Sequence, residues 1–164
     1  MAPADGAGLL GAIERSGIAA AMRGDIWLYP IVEIFHISGF IVLVGAVVMF
    51  DLRVLGVSRR ISIRALARHL LPWSAGALLV IVPTGLMMFS AHATEFVDNR
   101  AFVLKLTLIS LALTNAAAFH VGVFRTAEQW DIDMPSPAAA KAQAVASIGL
   151  WFAVVSCGRL LAYV

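Results

Sequence analysis

The sequence predicts an all-α integral membrane protein: an up-down four-helix bundle with a short amphipathic helix on the membrane surface at its N-terminus. Three observations carry this. The 164 residues are 61% hydrophobic and only 13% charged, whereas a soluble domain carries about 25% charged residues. Four apolar segments, at about 26–50, 70–91, 101–124 and 143–164, each have the roughly 20 residues a spanning helix needs. The connections between them are short, so consecutive helices run antiparallel. A single domain over 1–164 holds all four.

Met1 to Gly24 does not read as a signal peptide, because it has no basic start and its first charge is Asp5. Leu9, Leu10, Ile13 and Ile18, interleaved with Glu14 and Arg15, give the interfacial helix. In the spans, Gly39, Gly45, Gly76, Gly85, Ala112, Ala116 and Gly149 permit close packing, and Pro83 bends the second helix. Trp27, Tyr29, Trp73, Trp130 and Tyr163 fall where aromatic side chains anchor a helix at the interface.

Charge sets the orientation. Arg53, Arg59, Arg60, Arg64 and Arg68 follow the first span, and Arg125 and Lys141 follow the third; the opposite side has Arg15, Arg23 and Arg100. The richer loops belong in the cytoplasm, which leaves both termini on the periplasmic side of a bacterial inner membrane. The net charge of +2 is too small to suggest nucleic acid, and membrane lipids are the expected surroundings. The single cysteine, Cys157, excludes an internal disulfide and a Cys-x-x-Cys-His haem attachment.

Ionisable groups inside apolar spans are costly and mark function by default. Glu33 and His36 share one face of the first helix. Counted at 1.5 Å per residue, Lys105 and Arg159 lie roughly 6–8 Å from the outer surface, Glu33 roughly 9 Å and His36 roughly 13 Å. Together they form a cationic set suited to a haem propionate or a lipid phosphate. His69 and His120 lie on adjacent helices, both roughly 28–30 Å down by the same count. Two imidazoles at one level are what the axial ligands of a b-type haem require, and Arg68 and Arg125 are near enough in sequence to hold propionates. His36, His69 and His120 are therefore the candidate metal ligands. Glu33, Arg68, Lys105, Arg125 and Arg159 are the candidate cofactor contacts. Asn115 is expected to make an interhelical hydrogen bond. Glu33-x-x-His36 is half of a di-iron carboxylate motif, but the other half is missing.

Four motifs carry a resemblance: Trp27-x-Tyr29-Pro30-x-x-Glu33-x-x-His36, Asp51-Leu52-Arg53-x-Leu55-Gly56, Arg68-His69-Leu70-x-Pro72-Trp73 and Gly158-Arg159-Leu160-x-Ala162-Tyr163. From about Ser16 onward the chain resembles small four-helix bacterial inner-membrane proteins of unknown function. More loosely, histidines at two levels of a membrane bundle are similar to cytochrome b561-type carriers. The expected function is electron transfer through one or two b haems, exchanging electrons with quinone or a redox partner protein. One alternative is a non-catalytic structural or assembly subunit, as a homo-oligomer or within a larger membrane complex, whose polar groups hold lipid or partner helices; the other, ranked last because no Asp/Glu chain leads to the cytoplasm, is a proton or small-ion conductor using Glu33, His36 and Lys105.

Overall fold

The computed structural model describes residues 5–160, and these form an all-α fold. In chain order the helices are α1 (Asp5–Glu14), α2 (Gly17–Gly24), α3 (Leu28–Leu55), α4 (Ile63–Ala91), α5 (Ala93–Asp98), α6 (Arg100–Val121) and α7 (Ala138–Leu160), with a 3-10 segment, Val123–Trp130, before α7. Helices α3, α4, α6 and α7 are long and apolar enough to cross a membrane. They measure about 42, 43, 33 and 34 Å at 1.5 Å per residue, against a hydrocarbon core of about 30 Å. Large apolar side chains such as Ile41, Leu79, Leu86 and Phe152 point out of the bundle, as lipid-facing residues do. The chain is a multi-pass membrane protein. The predicted anchor Tyr163 and the end of the fourth predicted span lie outside the described residues.

Two spans are longer than their apolar runs at the arginine-rich end, and the reason is local. Helix α3 continues past Phe50 to a left-handed glycine, Gly56 (φ 113°), where the Val57 N–H bonds to the Leu52 carbonyl at 2.9 Å. Only glycine adopts that conformation without strain. Helix α4 begins seven residues before the predicted start, because Ser62 caps it by accepting from the Ala65 N–H. Asp131, after the 3-10 segment, accepts from the Ser62 hydroxyl at 2.9 Å and the Ile63 N–H at 2.6 Å.

Arg53 ties this end together. Its side chain is 2% exposed and donates to the carbonyls of Ile61, Arg59 and Asp131. The sequence had placed Arg53 in an exposed loop. It is instead a buried clamp, because only a charge satisfied by several acceptors is tolerated there.

The N-terminal segment forms two helices, not one. Ser16 breaks the run and caps α2. The pair docks on the bundle: Met22 packs with Val32 and Ala91, and Arg23 donates to the Ala91 carbonyl at 2.8 Å. Glu14 accepts from the Thr94 N–H at 2.8 Å. That bond holds the Glu14 carboxyl below its ordinary value, helped by the nearby charges of Arg23 and His92.

Among the spans, α3 packs along both α4 and α7, and α7 packs along both α3 and α6. Among the described residues no Cα of α4 comes within 8 Å of one on α6. These two helices face each other across a gap closed by side chains alone. An apolar layer of Leu43, Ala77, Ile81, Ala112, Trp151 and Val154 fills the middle of the bundle. At Gly39 the helices α3 and α4 are so close that a Cβ would stand 2.8 Å from Ile81 Cγ1.

Candidate functional site

The apolar layer gives way to polar side chains toward the arginine-rich end. On α3 the inward stripe runs Leu43, Val47, Phe50, Asp51 and Val54; on α7 it runs Ala140, Gln143, Ala144, Ser147 and Trp151. Both follow the three-to-four spacing of a buried helix face. They place Asp51, Gln143 and Ser147 against Asn115 and His120 of α6 and Ser74 of α4. These side chains line a cavity of about 80 Å³ bounded by all four spanning helices. That volume suits a few water molecules and is far smaller than a porphyrin.

The hydrogen bonds around the cavity have a direction. Asn115 Nδ2 donates to the Gln143 carbonyl at 3.0 Å, which is the expected interhelical bond. His120 Nδ1 lies 2.9 Å from the Ala116 carbonyl. A carbonyl only accepts, so Nδ1 carries the proton and Nε2 presents a lone pair. That Nε2 is buried without a partner, and so are Asp51 Oδ2 and Gln143 Oε1. Asp51, 6% exposed, accepts from the Ser147 hydroxyl. The cavity wall thus holds three stranded acceptors. Each unsatisfied buried polar atom costs about 1–3 kcal/mol, so the wall is matched to an occupant that donates hydrogen bonds or carries positive charge.

The residues singled out from the sequence are distributed more widely than one haem site allows. His120 faces the cavity. His69 is exposed and, at 100° per residue, lies on the opposite face of α4 from the lining residues Ala67, Leu70, Leu71 and Ser74. The two imidazoles share a level but not a space. Arg68 and Arg125 are also exposed.

Toward the other end, His36 turns from α3 to α4. Its Nδ1 lies 3.1 Å from the Ile81 carbonyl and 3.0 Å from Thr84 Oγ1, and its ring edge fits against Gly85, where a Cβ would stand 3.0 Å away. Lys105 reaches across the bundle instead of snorkelling: its ammonium sits 5.4 Å from the centre of the Phe40 ring and close to Gly158. A cation–π contact of this kind contributes about 0.5–2 kcal/mol. Glu33 and Arg159 are exposed. His92 is paired with Glu95 at 3.4 Å, and Met87 and Met88 pack as core around Met22 and Val32. Among the described residues no three His, Cys, Asp or Glu side chains are grouped to hold a metal ion.

The sequence reading passed over Asp51, Gln143 and Ser147. The signal was present: Asp51 is four residues from Val47 and three from Val54, on the stripe that faces inward. Its charge, next to Arg53, marked it as the edge of a loop.

No curated protein and no solved structure matches this chain. A family model described as a family of unknown function (DUF6644) matches residues 17–164, and the chain belongs to that family.

Proposed function

We propose that this protein moves protons in the membrane, with the Asp51–His120 cavity as its proton-binding site. The observation that carries this reading is the wall of stranded acceptors. Asp51 Oδ2, His120 Nε2 and Gln143 Oε1 are buried without partners on residues that line one small cavity, and one of them belongs to a carboxyl group and another to an imidazole. A proton carried on water as hydronium has three O–H donors, one for each of these atoms. Ionisable groups inside a bundle commonly mark such relays. The excess of arginine at this end supports an orientation with the cavity toward the cytoplasm of a bacterial inner membrane and both termini toward the periplasm. The apolar layer around Trp151 lies between the cavity and His36 and Lys105, and it is the barrier that transported protons must cross. The test is dissipation of a pH gradient by the full chain in liposomes containing a pH-sensitive dye. Wild type should exceed empty liposomes, and Asp51→Asn should lower the rate by about a hundredfold. A rate unchanged by Asp51→Asn would sink the reading.

One observation favours the second reading, a b-type haem carrier exchanging electrons with quinone. His36 and His120 both direct Nδ1 at a backbone carbonyl, which is how a metal-ligating imidazole is oriented with Nε2 free. His120 would then hold the haem iron through Nε2. Purified protein with a Soret band that His120→Ala removes would establish this reading in place of the first.

A further inference from the structure

We propose that the same cavity binds one alkali cation, with Asp51, Gln143 and Ser147 as its oxygen ligands. This rests on the cavity being the working site, but not on protons being what is moved. The three residues offer Asp51 Oδ2, Gln143 Oε1 and Ser147 Oγ around a space of about 80 Å³. The first two oxygens have no partner, and the Asp51 and Ser147 side chains are 6% and 8% exposed. Oxygen sets of this kind hold hard cations, with water completing the shell.

Charge selects the valence. Among the described residues Asp51 is the only carboxylate lining the cavity. A monovalent ion beside one carboxylate leaves the site neutral, whereas a divalent ion would leave an uncompensated charge in a low-dielectric interior. Ligand type selects against transition metals. Their sites need several imidazole, thiolate or carboxylate ligands, and this cavity has one imidazole and one carboxylate. Arg53 and the other arginines do not line the cavity, so no fixed cation competes for it. Asn115 positions the site by tying its amide to the Gln143 carbonyl from the facing helix.

The experiment is thermal unfolding of the detergent-purified full chain in sodium, lithium, potassium or choline chloride at one ionic strength and pH. At least one alkali ion should raise Tm saturably over choline, by roughly 5 °C at a hundredfold excess over Kd. Asp51→Asn should abolish the difference. Gln143→Leu, which leaves the carboxylate in place, should weaken the apparent affinity by about tenfold. Equal Tm values for wild type in all four salts would overturn the proposal, and so would an alkali response that survives Asp51→Asn. Proton flux that depends on Asp51 without any alkali response sinks this inference alone. An Asp51-dependent alkali response with no proton flux sinks the proton reading alone.

Discussion

Asp51→Asn separates a functional carboxylate from a structural one. The asparagine has nearly the same shape, but it replaces one acceptor oxygen by an N–H2 donor. The wall it joins has two more stranded acceptors, His120 Nε2 and Gln143 Oε1. An amide that donates to either relieves one unsatisfied atom, which is about 1–3 kcal/mol at full desolvation. It also removes the cost of burying a charge. Allowing for imperfect geometry, the variant should be more stable than wild type by about 1 kcal/mol, which raises Tm by about 2–4 °C in a chain of this size. Proton flux should fall at the same time. Gain of stability with loss of activity is the signature of a site that a structural role does not need. Thermal unfolding in detergent with choline as the only salt cation, so that no alkali ion stabilises wild type, and dye-reported flux in liposomes make the comparison. A variant that loses more than about 2 kcal/mol would show that Asp51 is a structural acceptor already satisfied in the native state, and the argument from stranded acceptors would fail.

Four other outcomes follow from the geometry. Gly39→Ala puts a Cβ 2.8 Å from Ile81 Cγ1, so it should destabilise by about 1–3 kcal/mol through the α3–α4 contact, read by thermal unfolding. Arg53→Ala should cost at least about 2 kcal/mol, because it strips a charged donor from three carbonyls, and should free the Val123–Trp130 segment to protease. His69→Ala, on the outer face of α4, should leave any haem spectrum unchanged, whereas His120→Ala should not. Glu14 has its carboxyl held below the ordinary 4.5 by the Thr94 N–H. Its docking bond is therefore intact above that value and is lost as pH falls through the lowered one. The protection factor of the Thr94 amide, its exchange rate relative to the unstructured rate at the same pH, should fall at acid pH in wild type and be low at every pH in Glu14→Ala.

The spans were legible because length and hydropathy are properties of single segments. So was the Asn115 interhelical bond, since an amide in an apolar helix must find an acceptor on a neighbour. The ends were less legible. Asp51, Arg53, Arg64 and Arg68 lower the apolar average across two helix termini, and the caps that extend α3 and α4 depend on Gly56, Ser62 and Asp131, the last of them 69 residues from Ser62. The His69–His120 pairing was drawn from depth alone. Depth is one coordinate of a helix; azimuth is the other, and it turns His69 outward while Leu70, Leu71 and Ser74 turn in. Gln143 and Ser147 were invisible as a site because each is unremarkable alone. They matter only where α7 brings them to face Asp51.

The two ends of the bundle solve opposite electrostatic problems. Toward the termini, Lys105 turns its ammonium into the bundle, beside an aromatic face and in the space that Gly158 leaves, whereas Glu33 and Arg159 are exposed. The neighbour of Lys105, His36, has already spent its Nδ1 proton on α4. At the arginine-rich end, the interior donors of Asn115 and Ser74 are spent on backbone carbonyls, and buried Arg53 is turned into carbonyls at the helix ends. A protein that needed polar groups only to hold its helices together would pair donors with acceptors across each interface, as Asn115 does with Gln143. The acceptors left over at Asp51, His120 and Gln143 are a standing cost that packing does not recover. They surround one cavity and lie on three different helices, so a single donor or cation there would bind those helices to one another. Occupancy of the cavity is thereby coupled to the packing of α3, α6 and α7.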